Sequence, residues 1–196
     1  MPSESLARTT QKIDQINSQD PNQELVNTIP QPHELVYSKR LTDWVLKLEP
    51  DASEVLRIAA RGQHIARWMI PRERYEKTRV GYLLWREDLK KFHAEKVSGI
   101  MREVGYPEDS IQKVSSIILK KNLRSNPDAQ ALEDALCLLF LETQFDNLKE
   151  KTLDDKMKEI VRKTWKKMST RAQKLALSLP LKQSSRQFLK EALQAI

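Results

Sequence analysis

Residues 135–141, Ala-Leu-Cys-Leu-Leu-Phe-Leu, are apolar around the whole circumference of a helix. Such a helix has no face left for water, so it must lie among other elements rather than on a surface. Asn126-Pro127-Asp128 opens the stretch, and it stays helix-compatible to about Lys149. Something must wrap this segment, and the rest of the chain offers mainly helices. Only 4 glycines occur in 196 residues, while Leu, Lys, Glu, Arg and Ala are abundant. No convincing alternation of apolar and polar residues marks a strand. The expected fold is an all-α helical bundle around a buried central helix near 128–149.

The other elements follow from spacing and punctuation. Residues 4–18 suit a polar, marginal helix, stopped by Asp20-Pro21-Asn22 and again by Ile29-Pro30-Gln31-Pro32. Leu41, Val45 and Leu48 recur at helical spacing, with Tyr37 and Trp44 on the same face. Ser53 caps a helix expected to run to about Trp68. Residues 69–79, charged and interrupted by Pro71, form an irregular connection. A long helix follows from Val80 to Val104, with Gly105 as its C-terminal cap and Pro107 opening the next. Helices around 154–168 and 170–179 complete the set. The expected organisation is a polar N-terminal extension over 1–30, a single helical domain over 31–180 and a C-terminal tail helix over 181–196.

No apolar run approaches the roughly 18 residues that span a bilayer, and the first twenty residues lack the apolar core of a signal peptide. The single cysteine, Cys137, lies in the apolar run and suits a buried thiol in a reducing compartment. A cytoplasmic protein without a membrane partner is the expectation.

The net charge of +7 is uneven. Residues 149–196 hold 13 Lys/Arg against 5 Asp/Glu, whereas residues 1–148 hold 21 against 22. A second basic excess, 8 against 2, lies between Arg57 and Arg86. These are two places for an anion. One suits a phosphorylated small molecule or nucleotide. The other, with Lys163, Lys166 and Lys167 beside Trp165, suits nucleic acid or is simply a solvated helix face.

Polar residues on apolar faces carry the functional expectation. His93 shares a helical face with Leu89, Val97 and Ile100, and His64 with Ala60, Arg61 and Trp68. Asp134 falls among Ala131, Leu138 and Leu141, and Glu142 among Leu138, Leu139 and Phe145. Burying such groups costs several kcal/mol (about 3 or more for an unpaired charge) unless they are paired or ligated. One solution is a single divalent metal ion held by His64, His93 and Asp134. Glu95 or Glu133 would then serve as general base, and Arg61, Arg67, Arg72, Arg86, Lys163 and Lys167 would neutralise a phosphate. The other solution has no metal: the inward groups pair with the arginines, Arg40 included, and the pocket is a ligand sensor or merely a buried polar network. There is no glycine-rich phosphate loop, no cysteine-rich zinc spacing and no nucleophile elbow.

Longer strings carry a resemblance: Arg61-Gly62-Gln63-His64-Ile65 with Arg67-Trp68, Ile70-Pro71-Arg72 with Tyr75, Gly81-Tyr82-Leu83 with Trp85-Arg86, Phe92-His93-Ala94-Glu95, Leu132-Glu133-Asp134 and residues 162–169. Over roughly residues 34–180 the chain resembles the domain-of-unknown-function family 4202, whose members often carry the label glutamyl-tRNA synthetase. The chain holds no nucleotide-binding motif of such an enzyme. A more distant resemblance is to the HD superfamily of metal-dependent phosphohydrolases. In those, an early helix supplies a His, a second a His-Asp pair and a later one an Asp. Tyr37 or Ser38 stands near the first of these positions, Gln63-His64 replaces the pair, and His93 and Asp134 match residues such enzymes use. The resemblance thus implies an HD-like bundle with a mononuclear or metal-free site, and as its activity a metal-dependent phosphohydrolase acting on a phosphorylated small molecule or nucleotide.

Overall fold

The computed structural model describes residues 3–194 except 122 and 124. The chain divides into two compact units, Met1–Ala129 and Gln130–Ile196. This differs from a single domain over 31–180 flanked by an extension and a tail.

The first unit opens with α1 (Glu4–Asn17), capped by Ser3 and burying Leu6, Thr9, Ile13 and Asn17. The residues expected to form an extension are therefore part of the unit, because α1 is amphipathic despite its polar composition. A short hairpin follows, β1 (Gln23–Val26) paired antiparallel with β2 (Ile29–Pro32), with Val26 opposite Ile29. No strand was expected here. The turn residues Asn27 and Thr28 both take positive φ, 50° and 69°, as a tight hairpin turn requires. Leu25 and Ile29 are exposed, so no apolar alternation advertises the strands.

Four further helices follow: α2 (His33–Leu48), α3 (Glu54–Gly62), α4 (Arg79–Val104) and α5 (Glu108–Ile118). Short 3-10 turns at Arg67–Met69 and Arg72–Arg74 lie between α3 and α4. Ser53 caps α3 by accepting from the Leu56 N–H at 3.1 Å. Gly105 ends α4 in the left-handed conformation, φ 94°. The centre of this unit is α3, which packs against α1, α2, α4 and α5 and buries Leu56, Ile58, Ala59 and Ala60. Close approach to α4 explains Gly62: a Cβ there would stand 2.3 Å from Val97 Cγ2.

The helix α6 (Pro127–Thr143) crosses the boundary between the units, and α7 (Phe145–Glu150), α8 (Asp154–Trp165), α9 (Thr170–Ser178) and α10 (Gln183–Leu193) follow. In α6 the run from Ala135 to Leu141 is buried apart from half-buried Leu136 and Phe140. The single helix expected to Lys149 breaks at Gln144. There the Thr143 hydroxyl donates back to the Leu139 carbonyl, which competes with the helical ladder. The break turns Phe145 into the core, edge-on to Phe140 and against Phe188. It also leaves Glu142 exposed, contrary to its expected inward aspect. The final helix packs on α8 through Phe188, Leu189 and Ala192, so it is no detached tail. Among the described residues no helix is long and apolar enough to cross a membrane.

Candidate functional site

Where α3 was expected to continue to Trp68, it stops at Gly62, and the turn Gln63–Ala66 replaces its last part. Ala66 sits in the left-handed region at φ 52°, a strained conformation for a residue with a Cβ. Its N–H donates to Asn17 Oδ1 at 3.0 Å, which holds the turn to α1. Arg61, one turn back, donates twice to the Asp14 carboxylate at 2.6 Å. These two anchors fix the turn that carries His64.

His64 stacks on Tyr37 from α2, centroids 4.4 Å apart and planes 11° from parallel, and faces His93 from α4 at 5.9 Å. His93 is buried, with its Nδ1 2.8 Å from the Ile65 carbonyl oxygen. A carbonyl only accepts, so Nδ1 carries the proton and Nε2 is left as a bare acceptor. Burial first and neighbouring His64 second bring His93 down to about 3, so it is neutral under ordinary conditions. His64 retains 21% exposure of its side chain and opens the cluster to solvent. It too is held well below its usual range, by burial and then by Arg67, Lys120, His33 and Arg86. Cations thus surround an imidazole that is kept neutral.

Glu34, in the first turn of α2, completes the cluster and was missed from sequence. Its backbone N–H donates to Asp20 Oδ2 at 2.9 Å, so the buried Asp20 fixes the start of the helix. Its carboxyl oxygens lie 3.5 Å from His64 Nδ1 and 3.8 Å from Arg67 Nε. Burial drives the carboxyl up to about 7, against the opposing pull of Arg67. Arg67 links the cluster outward, with Nη1 3.4 Å from His64 Nε2 and its guanidinium 4.9 Å from the Trp85 ring centroid.

Of the five buried polar atoms without a hydrogen-bond partner among the described residues, four gather here, namely Asn17 Nδ2, Glu34 Oε2, Gln63 Oε1 and His93 Nε2, while Thr9 Oγ1 lies elsewhere on α1. Gln63 belongs to the turn, while Asn17, Glu34 and His93 each touch one of its residues. Buried polar groups are nearly always satisfied, so this concentration is the strongest sign of a ligand site.

The remaining expected site residues are placed otherwise. Asp134, in the second unit, accepts from Gln130 Nε2 at 2.9 Å and from the Ser169 N–H and hydroxyl at 2.8 and 2.5 Å. It thereby anchors the N-cap of α9. Glu133 is buried 3.4 Å from Lys167. Glu95 is exposed on α4, away from the face that carries His93, which removes it as a base for that cluster. Arg72 donates to the carbonyls of Tyr75, Glu76 and Thr78 and so clamps its own loop. Arg61 is taken by Asp14, and Lys163 pairs with Glu159 one turn away. Arg86 is exposed, lying 5.7 Å over Tyr82. Arg40 pairs with Glu24, whose other oxygen lies 2.6 Å from His33 Nδ1.

An HD-type centre is not assembled by these residues. Tyr37 presents a ring face to His64, and Gln63 offers a buried amide where such a centre needs a ligand. Among the described residues no three His, Cys, Asp or Glu side chains gather closely enough to hold a metal ion.

No curated protein and no solved structure matches the chain. The model of one family, domain of unknown function DUF4202, matches residues 7–189, from within α1 to within α10. By that match over nearly its whole length, the chain belongs to the DUF4202 family.

Proposed function

We propose that the protein binds a phosphorylated small molecule at the turn Gln63–Ala66, as a ligand-binding module in which His64, Arg67 and Glu34 meet the phosphate. The observation that carries this reading is the set of unpartnered buried polar atoms around a strained turn, beneath an imidazole ringed by cations. Arg67 supplies the guanidinium, Glu34 in its protonated form donates, and Asn17 Nδ2 is an unused donor. A phosphate dianion entering this field offsets the cationic repulsion that adds to burial in keeping His64 neutral, and so favours a protonated His64 with a charge-assisted bond.

A second reading, hydrolysis of the phosphoester, is supported by Glu34 alone. A buried carboxyl near 7 beside a neutral imidazole is matched to proton transfer at physiological pH. In that case ionised Glu34 takes a proton from water as the water oxygen attacks phosphorus, the bond to the ester oxygen breaks, and His64, protonated only once the phosphate dianion is bound, delivers its proton to that departing oxygen.

Thermal unfolding with and without ribose 5-phosphate tests the binding reading. A stabilisation of roughly 2–3 kcal/mol is expected at about 100 times the dissociation constant. It should vanish in Arg67→Ala. An unchanged midpoint in the wild-type chain at millimolar ligand rejects the reading. Release of inorganic phosphate, lost in Glu34→Gln with binding retained, decides for hydrolysis.

A further inference from the structure

Four side chains continue outward from His64. Arg67 lies over Trp85 at 4.9 Å, Trp85 meets Tyr82 at 5.9 Å between centroids, and Arg86 lies 5.7 Å from the Tyr82 centroid. Tyr82, Trp85 and Arg86 are spaced i, i+3 and i+4 on α4, so one helix face presents them together. The Trp85 indole N–H donates to the Ile70 carbonyl at 2.9 Å, which fixes the ring orientation. Two adjacent rings thus lie between two guanidiniums, from the buried cluster to open solvent.

Tyr82, at the outer end of this ladder, is 42% exposed, while Leu83 at 52% and Val80 at 66% fall on the other side of α4. Met69 and Leu84 are exposed as well, so most of the large apolar side chains exposed among the described residues fall in this short stretch. An exposed apolar patch beside a polar pocket marks a ligand surface more often than chance exposure does. Around it the exposed cations Arg74, Lys77, Arg79 and Arg86 are interleaved with the exposed carboxylates Glu73, Glu76 and Glu87. A planar ligand matches the rings, and an anionic one matches Arg67 and Arg86 at the two ends of the ladder.

We infer that the ladder Arg67–Trp85–Tyr82–Arg86 is the base-stacking half of a nucleoside monophosphate site, with the phosphate seated at Arg67 and His64. This rests on the proposed phosphate pocket and names its ligand class. Aromatic faces stack on any nucleobase, and guanidinium planes add cation–π attraction. A triphosphate would ask for a glycine-rich cradle of backbone N–H groups, and the chain has 4 glycines with no such loop.

Calorimetric titration of the full chain with AMP, CMP and ribose 5-phosphate tests the inference. AMP should bind at least roughly tenfold more tightly than ribose 5-phosphate, the usual scale of one base–aromatic stack. Tyr82→Ala should erase that difference while leaving ribose 5-phosphate affinity unchanged, and Tyr82→Phe should restore it. Tyr82 is exposed, so neither variant threatens the fold. Equal affinity for AMP and ribose 5-phosphate in the wild-type chain overturns the inference and leaves the phosphate pocket standing. Loss of all three ligands' binding overturns both. Sedimentation that shows a dimer broken by Tyr82→Ala, with AMP preference unaltered, assigns the patch to self-association and also overturns it.

Discussion

Replacing Glu34 by Gln removes one titration from the centre of the site, and the consequence for stability can be worked through. The carboxyl titrates near 4.5 in an unfolded chain and about 7 in the folded one. Between those values the native state holds more protons than the unfolded state, so this group makes stability fall as pH rises. Below pH 4.5 both states are protonated and Glu34 carries no penalty. Above pH 7 both are ionised and the full penalty applies. The gap, at about 1.4 kcal/mol per pH unit, caps the penalty at about 3 kcal/mol. Glu34 is 4% exposed, so solvent screening takes little from that figure.

Gln keeps the shape and hydrogen-bonding capacity of the protonated acid and cannot ionise. The expected result is that Glu34→Gln changes from near parity with the parent at pH 4 to an advantage of about 2–3 kcal/mol at pH 8. Urea unfolding at several pH values measures this. A Trp165→Phe background is needed, because the remaining tryptophans, Trp44, Trp68 and Trp85, then report the first unit alone. Subtracting the two chains removes the opposite pH dependence of His93. That imidazole, lowered to about 3, adds stability above its unfolded value and loses it as pH falls from about 6.5 towards 3. A stability difference that stays flat across pH 4–8 refutes the assignment of Glu34 as a buried, proton-holding carboxyl.

Other outcomes follow from the same geometry. Asp134→Ala removes the acceptor of the Ser169 N–H and hydroxyl, and should cost about 1–3 kcal/mol in the unfolding of the second unit, with ligand binding at the first unchanged. Gly62→Ala forces a Cβ against Val97 and should cost about 1–3 kcal/mol; Val97→Ala in the same chain should recover part of it, a non-additivity read by thermal unfolding. Metal analysis of the purified protein and of His93→Ala should find no stoichiometric transition metal in either; about one equivalent, lost in the variant, reinstates a metal-dependent site. Single-stranded RNA titrated at rising salt checks the basic C-terminal quarter. With Lys163 and Lys167 engaged by Glu159 and Glu133, affinity should be weak and its salt slope shallow, and a steep slope would favour nucleic acid.

Much of the fold was legible because helices announce themselves locally. The Ser53 cap, the Gly105 stop and the apolar stripe through Leu41, Val45 and Leu48 need no knowledge of neighbours. The turn Gln63–Ala66 was not legible: its left-handed residue is an alanine, held by an asparagine 49 positions earlier. The hairpin hid for a related reason, since Asn27-Thr28 lacks glycine and its strands bury little. For the site, the inward aspect of His93 and Asp134 was readable from periodicity but their partners were not, and His64 reaches the cluster on a turn that helical periodicity does not describe. Asp134 found the N-cap of a helix, while the histidines found each other. Glu34 left a signal that went unread: it stands three and seven residues before Tyr37 and Leu41, on the stripe that packs inward.

The site departs from local consistency in one direction, and that direction bears on function. Structural polar groups in this protein are closed circuits: Asp14 with Arg61, Asp134 with Ser169, Arg72 with three carbonyls. Each could be derived as a device that fastens one segment to another. The groups around His64 are less completely paired: among the described residues Glu34 Oε2, Gln63 Oε1 and His93 Nε2 find no hydrogen-bond partner. A sequence under no functional demand would replace such groups with apolar residues of similar volume and gain stability. Their place beside a strained turn, around a buried imidazole pair, is the observation on which the proposed ligand site rests.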